Sequence, residues 1–200
     1  MTPQQFISAW TDSDKPLSPL SSFRIEHLNL SNSTIGFLTI AGLPTYPDPE
    51  LRFSKDTDDL FYGINKLTDV FDFLDKTNEY EKYIVIGSCR DGDPIVINTK
   101  KNDQIEQLDH EDFFSPKFFN TSISTLAEFL LVFRNFTQSQ MFNKNNSGYF
   151  NIFNFSNSQF DILRNKMLSI DAEALRPGGF WKEELDIMLL QRQEYFPKSS

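Results

Sequence analysis

Along this chain the apolar positions begin at helical spacing, change to alternation in the middle, and return to helical spacing. Within Pro3–Thr11, Phe6 and Trp10 stand four residues apart, which predicts a short helix with both rings on one face. Pro16 and Pro19 then mark a loop. Ser31–Ala41 reads as a second helix, with Ser31 or Ser33 as N-cap and Ile35, Leu38 and Thr39 along one side. Gly42 supplies its left-handed stop and Pro44 prevents continuation. Leu51–Ser54 has strand character. The period does not decide Asp56–Lys82: Leu67, Val70, Phe71 and Leu74 fit a helix, whereas Phe71 and Phe73 fit a strand.

The centre reads more simply. Tyr83–Cys89 (YIVIGSC) is a β-branched apolar run of strand length, as for a strand covered on both faces. Arg90-Asp91-Gly92-Asp93 is turn chemistry, and Pro94–Asn98 follows as a strand with Pro94 at its first residue, where a missing N–H is tolerated. After a turn at Thr99–Asp103, Gln104–Leu108 alternates, and the three strands make an antiparallel meander. Thr125 and Glu128 then read as a capping box ahead of Leu126, Phe129, Leu130 and Phe133. Asn143–Ser147 is a polar loop. Ser158 and Asp161 open a helix with Phe160, Leu163, Met167 and Ile170 inward. Pro177-Gly178-Gly179 interrupts the chain, and Trp181, Leu185, Met188 and Leu189 mark a last helix that ends before Pro197. The fold class expected is α+β: an antiparallel-to-mixed sheet with its central meander at about 83–108, flanked by helices, and a helical C-terminal segment. The expected organisation is one domain over 1–200, with a core at about 31–136 and a helical extension at about 158–196.

Composition narrows the function classes. Phe occurs 21 times in 200 residues, so the core should be rich in rings. Cys89 is the single cysteine, which excludes an intrachain disulfide and a thiolate metal cage. The first twenty residues lack a basic start followed by an apolar run, which argues against a secretory signal. The densest apolar stretch, Leu126–Phe136, is broken by Glu128, Arg134 and Asn135, so no membrane span is expected and the expected location is cytoplasmic. A net charge of −9 would repel a phosphate backbone, and the tightest basic cluster is only Lys100 with Lys101; direct nucleic-acid binding is not expected. Such a surface suits a basic protein partner instead.

Reactive groups are scarce. The two histidines are His27 and His110. Asp109-His110-Glu111-Asp112 contains metal-ligand types, yet adjacent residues diverge and no second His stands at i+4, so a solvated turn is expected. Cys89 with His110 would be a nucleophile–base pair only if the fold joined them; at the end of an apolar strand, Cys89 reads as a buried, inert thiol. No G-x-S-x-G elbow and no phosphate-cradling glycine loop is present. No catalytic residue, metal or cofactor is therefore assigned. One segment does point to a partner: Asp56–Lys82 holds eight acids against three bases, with rings interleaved. The candidate contact residues are Asp56, Asp58, Asp59, Phe61, Tyr62, Asp69, Asp72 and Asp75, acids to steer a basic partner and rings to anchor it. The bland alternative is a solvated face whose rings all turn inward.

Several short motifs resemble the SUKH superfamily, which includes the yeast cell-wall-synthesis regulator and many bacterial immunity proteins. Gly42-Leu43-Pro44 is similar to its early G-L-P. Tyr83–Asn98 resembles its strand–glycine–turn–strand signature, with Ile86-Gly87 and Gly92-Asp93 in place. Ile105–His110 matches the next strand, and Phe119–Leu126 (FNTSISTL) is similar to the segment that leads into the family's helix. Leu126 stands where the family often has Phe, and the chain after Phe136 extends past the similar region. The resemblance implies a mixed sheet flanked by helices, no catalytic site, and a role in neutralising a cognate toxin, commonly a nuclease or deaminase. A regulatory scaffold that binds a host protein or small ligand is the alternative class.

Overall fold

The computed structural model describes residues 1–11, 14–74, 79–141 and 149–197. In chain order they form α1 (Pro3–Ala9), β1 (Leu17–Ser18), α2 (Ser22–Ile25), α3 (Asn32–Ile40), β2 (Leu43–Pro44), β3 (Arg52–Phe53), β4 (Asn65–Lys66) and α4 (Leu67–Val70). There follow β5 (Tyr83–Ser88), β6 (Pro94–Asn98), β7 (Gln104–Asp109), β8 (Ser115–Asn120), α5 (Ile123–Met141), α6 (Asn157–Ile170) and α7 (Phe180–Tyr195), with 3₁₀ turns at Tyr149–Phe153 and Ala172–Leu175. The main sheet has the order β3-β5-β6-β7-β8, with β4 also on β5, and β1 pairs with β2 apart from it. Among the described residues every pairing is antiparallel. The α+β class and the meander stand as the sequence predicts.

Local chemistry sets the boundaries. Thr2 and Gln5 make a capping box at α1 with Pro3 in the first turn, and Ser31 caps α3 by accepting from the Thr34 N–H. Gly42 ends α3 at φ 65°; a Cβ there would lie 2.1 Å from Ser18 O, so the β1–β2 pairing depends on its absence. Two predicted caps move. Ser122, not Thr125, caps α5, because its hydroxyl accepts from the Thr125 N–H at 3.2 Å, while Glu128 pairs with the amino terminus. Ser156 with Gln159 caps α6, two residues before the predicted Ser158. The polar loop expected at 143–147 lies outside the described residues.

The sheet is buried on both faces. On one, Ile84, Ile86, Ile95, Ile97, Ile105 and Phe119 join the rings of the helices in one large cluster. At its heart Trp181 stacks edge-on to Phe119, Phe129 and Phe180 at 5.3–5.5 Å between centroids, and its indole N–H donates to Asn120 Oδ1 at 3.0 Å. On the other face, Tyr83, Val85, Val96, Leu108 and Phe114 form a smaller cluster, covered by Leu67 and the half-buried Val70, Phe71, Leu74 and Tyr80. In the described residues of the ambiguous Asp56–Lys82 segment there is thus a patchwork: a two-residue strand, a four-residue helix and turns that lid the outer face. Among the described residues no helix is long and apolar enough to cross a membrane.

Candidate functional site

The acid-and-ring segment begins as a loop pinned at both ends to one strand. β3 pairs Arg52 with Ser88 and Phe53 with Gly87; β4 pairs Asn65 with Val85 and Lys66 with Ile84. Between them Asp59 organises a turn, its Oδ1 accepting from the N–H groups of Phe61 (2.8 Å) and Tyr62 (3.0 Å). Asn65 Nδ2 donates to the carbonyls of Asp59 and Leu60, and Ser54 Oγ donates to Gly63 O. With the Asp59, Asn65 and Ser54 side chains directed into the loop, Leu60, Phe61 and Tyr62 stand outward as an exposed tip, and the Arg52 guanidinium lies 4.8 Å over the Tyr62 ring.

The acids divide by role. Asp56 accepts from the backbone N–H and the hydroxyl of Ser21, and those bonds hold its carboxyl below the usual range. Asp58 accepts from Arg24 Nη1 at 2.5 Å, which lowers it likewise. Arg24 Nε also lies 2.7 Å from Asp56 Oδ1 but out of line for a hydrogen bond, so that contact is a charge pairing. Asp56 and Asp58 therefore tether the loop to α2, and the single Arg24 guanidinium, shared between them, offsets one of their two charges. Asp69 and Asp72 are exposed, and among the described residues neither is ion-paired. Asp75 lies outside the described residues. The rings divide too: Phe71 and Tyr80 turn inward onto Phe114, whereas Phe61 (61% exposed) and Phe73 (73%) face water.

Two features escape the sequence reading. Arg24 sits over thirty residues before the two acids it pairs with, and nothing local signals that pairing. Phe113, 88% exposed, follows Glu111-Asp112 in the β7–β8 turn; it repeats the acid-beside-ring pattern of Asp72-Phe73, which is the signal that could have found it.

The reactive side chains are joined through Gln107 and the Asp93 carboxylate. His110 Nδ1 lies 2.6 Å from Asp93 Oδ1, while Gln107 Nε2 donates to Asp93 Oδ2 at 2.7 Å and to Cys89 Sγ at 3.6 Å. The Asp93 bond raises the His110 pKa, and burial pushes the Cys89 thiol up. A proton-holding thiol bonded to Gln107, and an imidazole committed to a carboxylate, are the reverse of an activated nucleophile–base pair. The neighbouring acids diverge: Asp109 accepts from the Glu111 and Asp112 N–H groups and from Lys117, whereas Glu111 and Asp112 point to solvent.

A cleft of about 190 Å³ lies between the 48–50 segment and α7, lined by Glu50, Arg90, Phe133, Phe153, Glu184 and Met188. Glu184 is 5% exposed, and burial pushes its carboxyl up to about 7 although Arg90 Nη2 stands 3.4 Å away.

A family model described as SUKH-4 immunity protein matches residues 20–190, a span that runs from the approach to α2 almost to the end of α7. No curated protein and no solved structure matches the chain.

Proposed function

The chain belongs to the SUKH-4 immunity protein family, and from that premise we propose that it neutralises a toxin by binding the toxin's effector domain, with no reaction of its own. The partner we infer is a basic domain of the nuclease or deaminase kind, met in the cytoplasm. Enzymes that handle nucleic acid carry basic surfaces, and a chain of net charge −9 complements them. The observation that carries the reading is the 54–64 loop. It is fixed at both ends on β5 and internally by Asp59, so its exposed rings are ordered before any partner arrives. A preordered contact loses less conformational freedom on binding. Asp69 and Asp72 add charge that draws a cationic surface in.

Co-expression with the product of the adjacent gene tests this. We expect that product to arrest growth alone and to be tolerated beside this chain; a harmless neighbour, or arrest despite this chain, defeats the proposal. Reversing charge at Asp69 and Asp72 should slow association about tenfold at low salt and flatten its salt dependence. Asp58 is unsuited to that experiment, because its reversal would release the loop from Arg24.

A further inference from the structure

Among the described residues the most exposed large apolar side chain is Phe113, and its backbone is in the region least suited to it. Phe113 and Phe114 have φ of 49° and 58°, consecutive left-handed residues in the β7–β8 turn. Bulky L residues adopt this conformation rarely, and neither side chain can reach back to the backbone as Asn or Asp does. For Phe114 the fold supplies a reason: its ring is buried, 4.9 Å from Phe71 and 6.4 Å from Tyr80, and closes the outer-face cluster. Phe113 has no such return. Gly or Asn would serve the turn better, and its ring buries almost nothing. Stability therefore does not explain a phenylalanine at this position.

Its surroundings do. Phe73, itself largely exposed, lies 6.3 Å from the Phe114 ring, and Phe113 is the residue next to Phe114 in the chain, so both outward rings adjoin the same buried ring. Asp72 immediately precedes Phe73, and Glu111 and Asp112 immediately precede Phe113; all three are exposed, and among the described residues none is ion-paired. Two projecting rings among unpaired carboxylates match an apolar pocket rimmed by lysine or arginine. Acids alone would steer without anchoring, and rings alone would not select for charge.

We propose that Phe113 and Phe73, with Asp72, Glu111 and Asp112 around them, form the anchoring contact for the basic effector domain. This rests on the binding function proposed above and places the centre of the contact at the β7–β8 turn, a position outside the 54–64 loop. A strained turn that holds a ring in water is stable at a disadvantage the partner offsets on binding.

The test uses the purified full chain and the effector domain encoded beside it, with affinity and thermal midpoint measured for the wild type, Phe113→Gly and Phe73→Ser. Phe113→Gly should raise the midpoint by about 2 °C or more, because glycine accepts the left-handed backbone. The same variant should weaken binding about 30-fold, the loss expected of an anchoring ring. Phe73→Ser, which involves no left-handed residue, should also weaken binding about tenfold. A wild type that binds while both variants bind within threefold of it overturns the anchor and leaves the binding function standing. Lost affinity together with a lowered midpoint in Phe113→Gly would overturn it too, since the ring would then be structural. A wild type that does not bind refutes the functional reading, and the anchor with it.

Discussion

At the scale of single residues, burial and distant partners decide roles that residue type leaves open. Cys89 behaves as its place at the end of an apolar run implies, buried just past β5 and with its thiol pushed up. Asp56 and Asp58 look like free charges in the sequence, yet Arg24, brought over from α2, turns them into tethers. Glu184 shows the same limit. It falls between the inward Trp181 and Leu185 on α7, and only the arrival of the 48–50 segment encloses it. Its carboxyl has a folded pKa of about 7 against an ordinary 4.5, so the folded chain holds a proton there that the unfolded chain releases. The sign follows. Below the ordinary value both states are protonated and nothing is lost; as pH rises toward 7 folding stability falls, and above it the deficit is complete. Glu184→Gln should therefore gain on the wild type by at most roughly 3 kcal/mol at alkaline pH and by little in mild acid. Urea unfolding of both proteins at the two pH values checks it, and a gap that does not widen with pH contradicts it.

At the scale of elements, length governs what a sequence discloses. β5, β6 and β7 each carry enough β-branched alternation to be read directly, and α1, α3, α6 and α7 carry caps or stripes near the observed ends. β8 is not legible because Pro116 and Lys117 interrupt it and its neighbours in the turn dominate the pattern. The 56–82 segment defeats periodicity for a plainer reason: among its described residues the regular pieces are two and four residues long, too short to display a period. The candidate site inherits both outcomes, since the acid-ring composition is visible but the division of rings into inward and outward is a tertiary result. One glycine holds the site in place. A Cβ on Gly87 would stand 2.1 Å from Arg52 O, so Gly87→Ala must push β3 off β5 and free one end of the loop. A loss of about 2 kcal/mol is expected. Hydrogen exchange should show faster amides in β3 and the 54–64 loop than in β7; uniform protection would contradict the account.

At the scale of the whole molecule, the helices after the meander share the core that the meander starts. Trp181 of α7 packs on Phe119 of β8 and on Phe129 and Phe133 of α5, and Asp171 accepts from the Thr121 N–H at 2.7 Å and its hydroxyl at 3.0 Å. We propose that residues 1–200 unfold as one cooperative unit. Trp181→Ala should then destabilise the entire chain by about 3–5 kcal/mol. Tryptophan fluorescence, which reports Trp10 as well as Trp181, should follow the same transition as far-UV circular dichroism; two separated transitions would contradict the proposal. We propose that protection comes from occupancy of a partner's surface and not from turnover. The most direct measurement titrates the neighbouring toxin's activity with this chain at toxin concentrations well above the dissociation constant. Inhibition that grows in proportion and ends at a fixed molar ratio, unchanged in Cys89→Ser, is the predicted result. Complete loss of toxin activity at a small fraction of an equivalent, deepening with time, would show catalysis and contradict it.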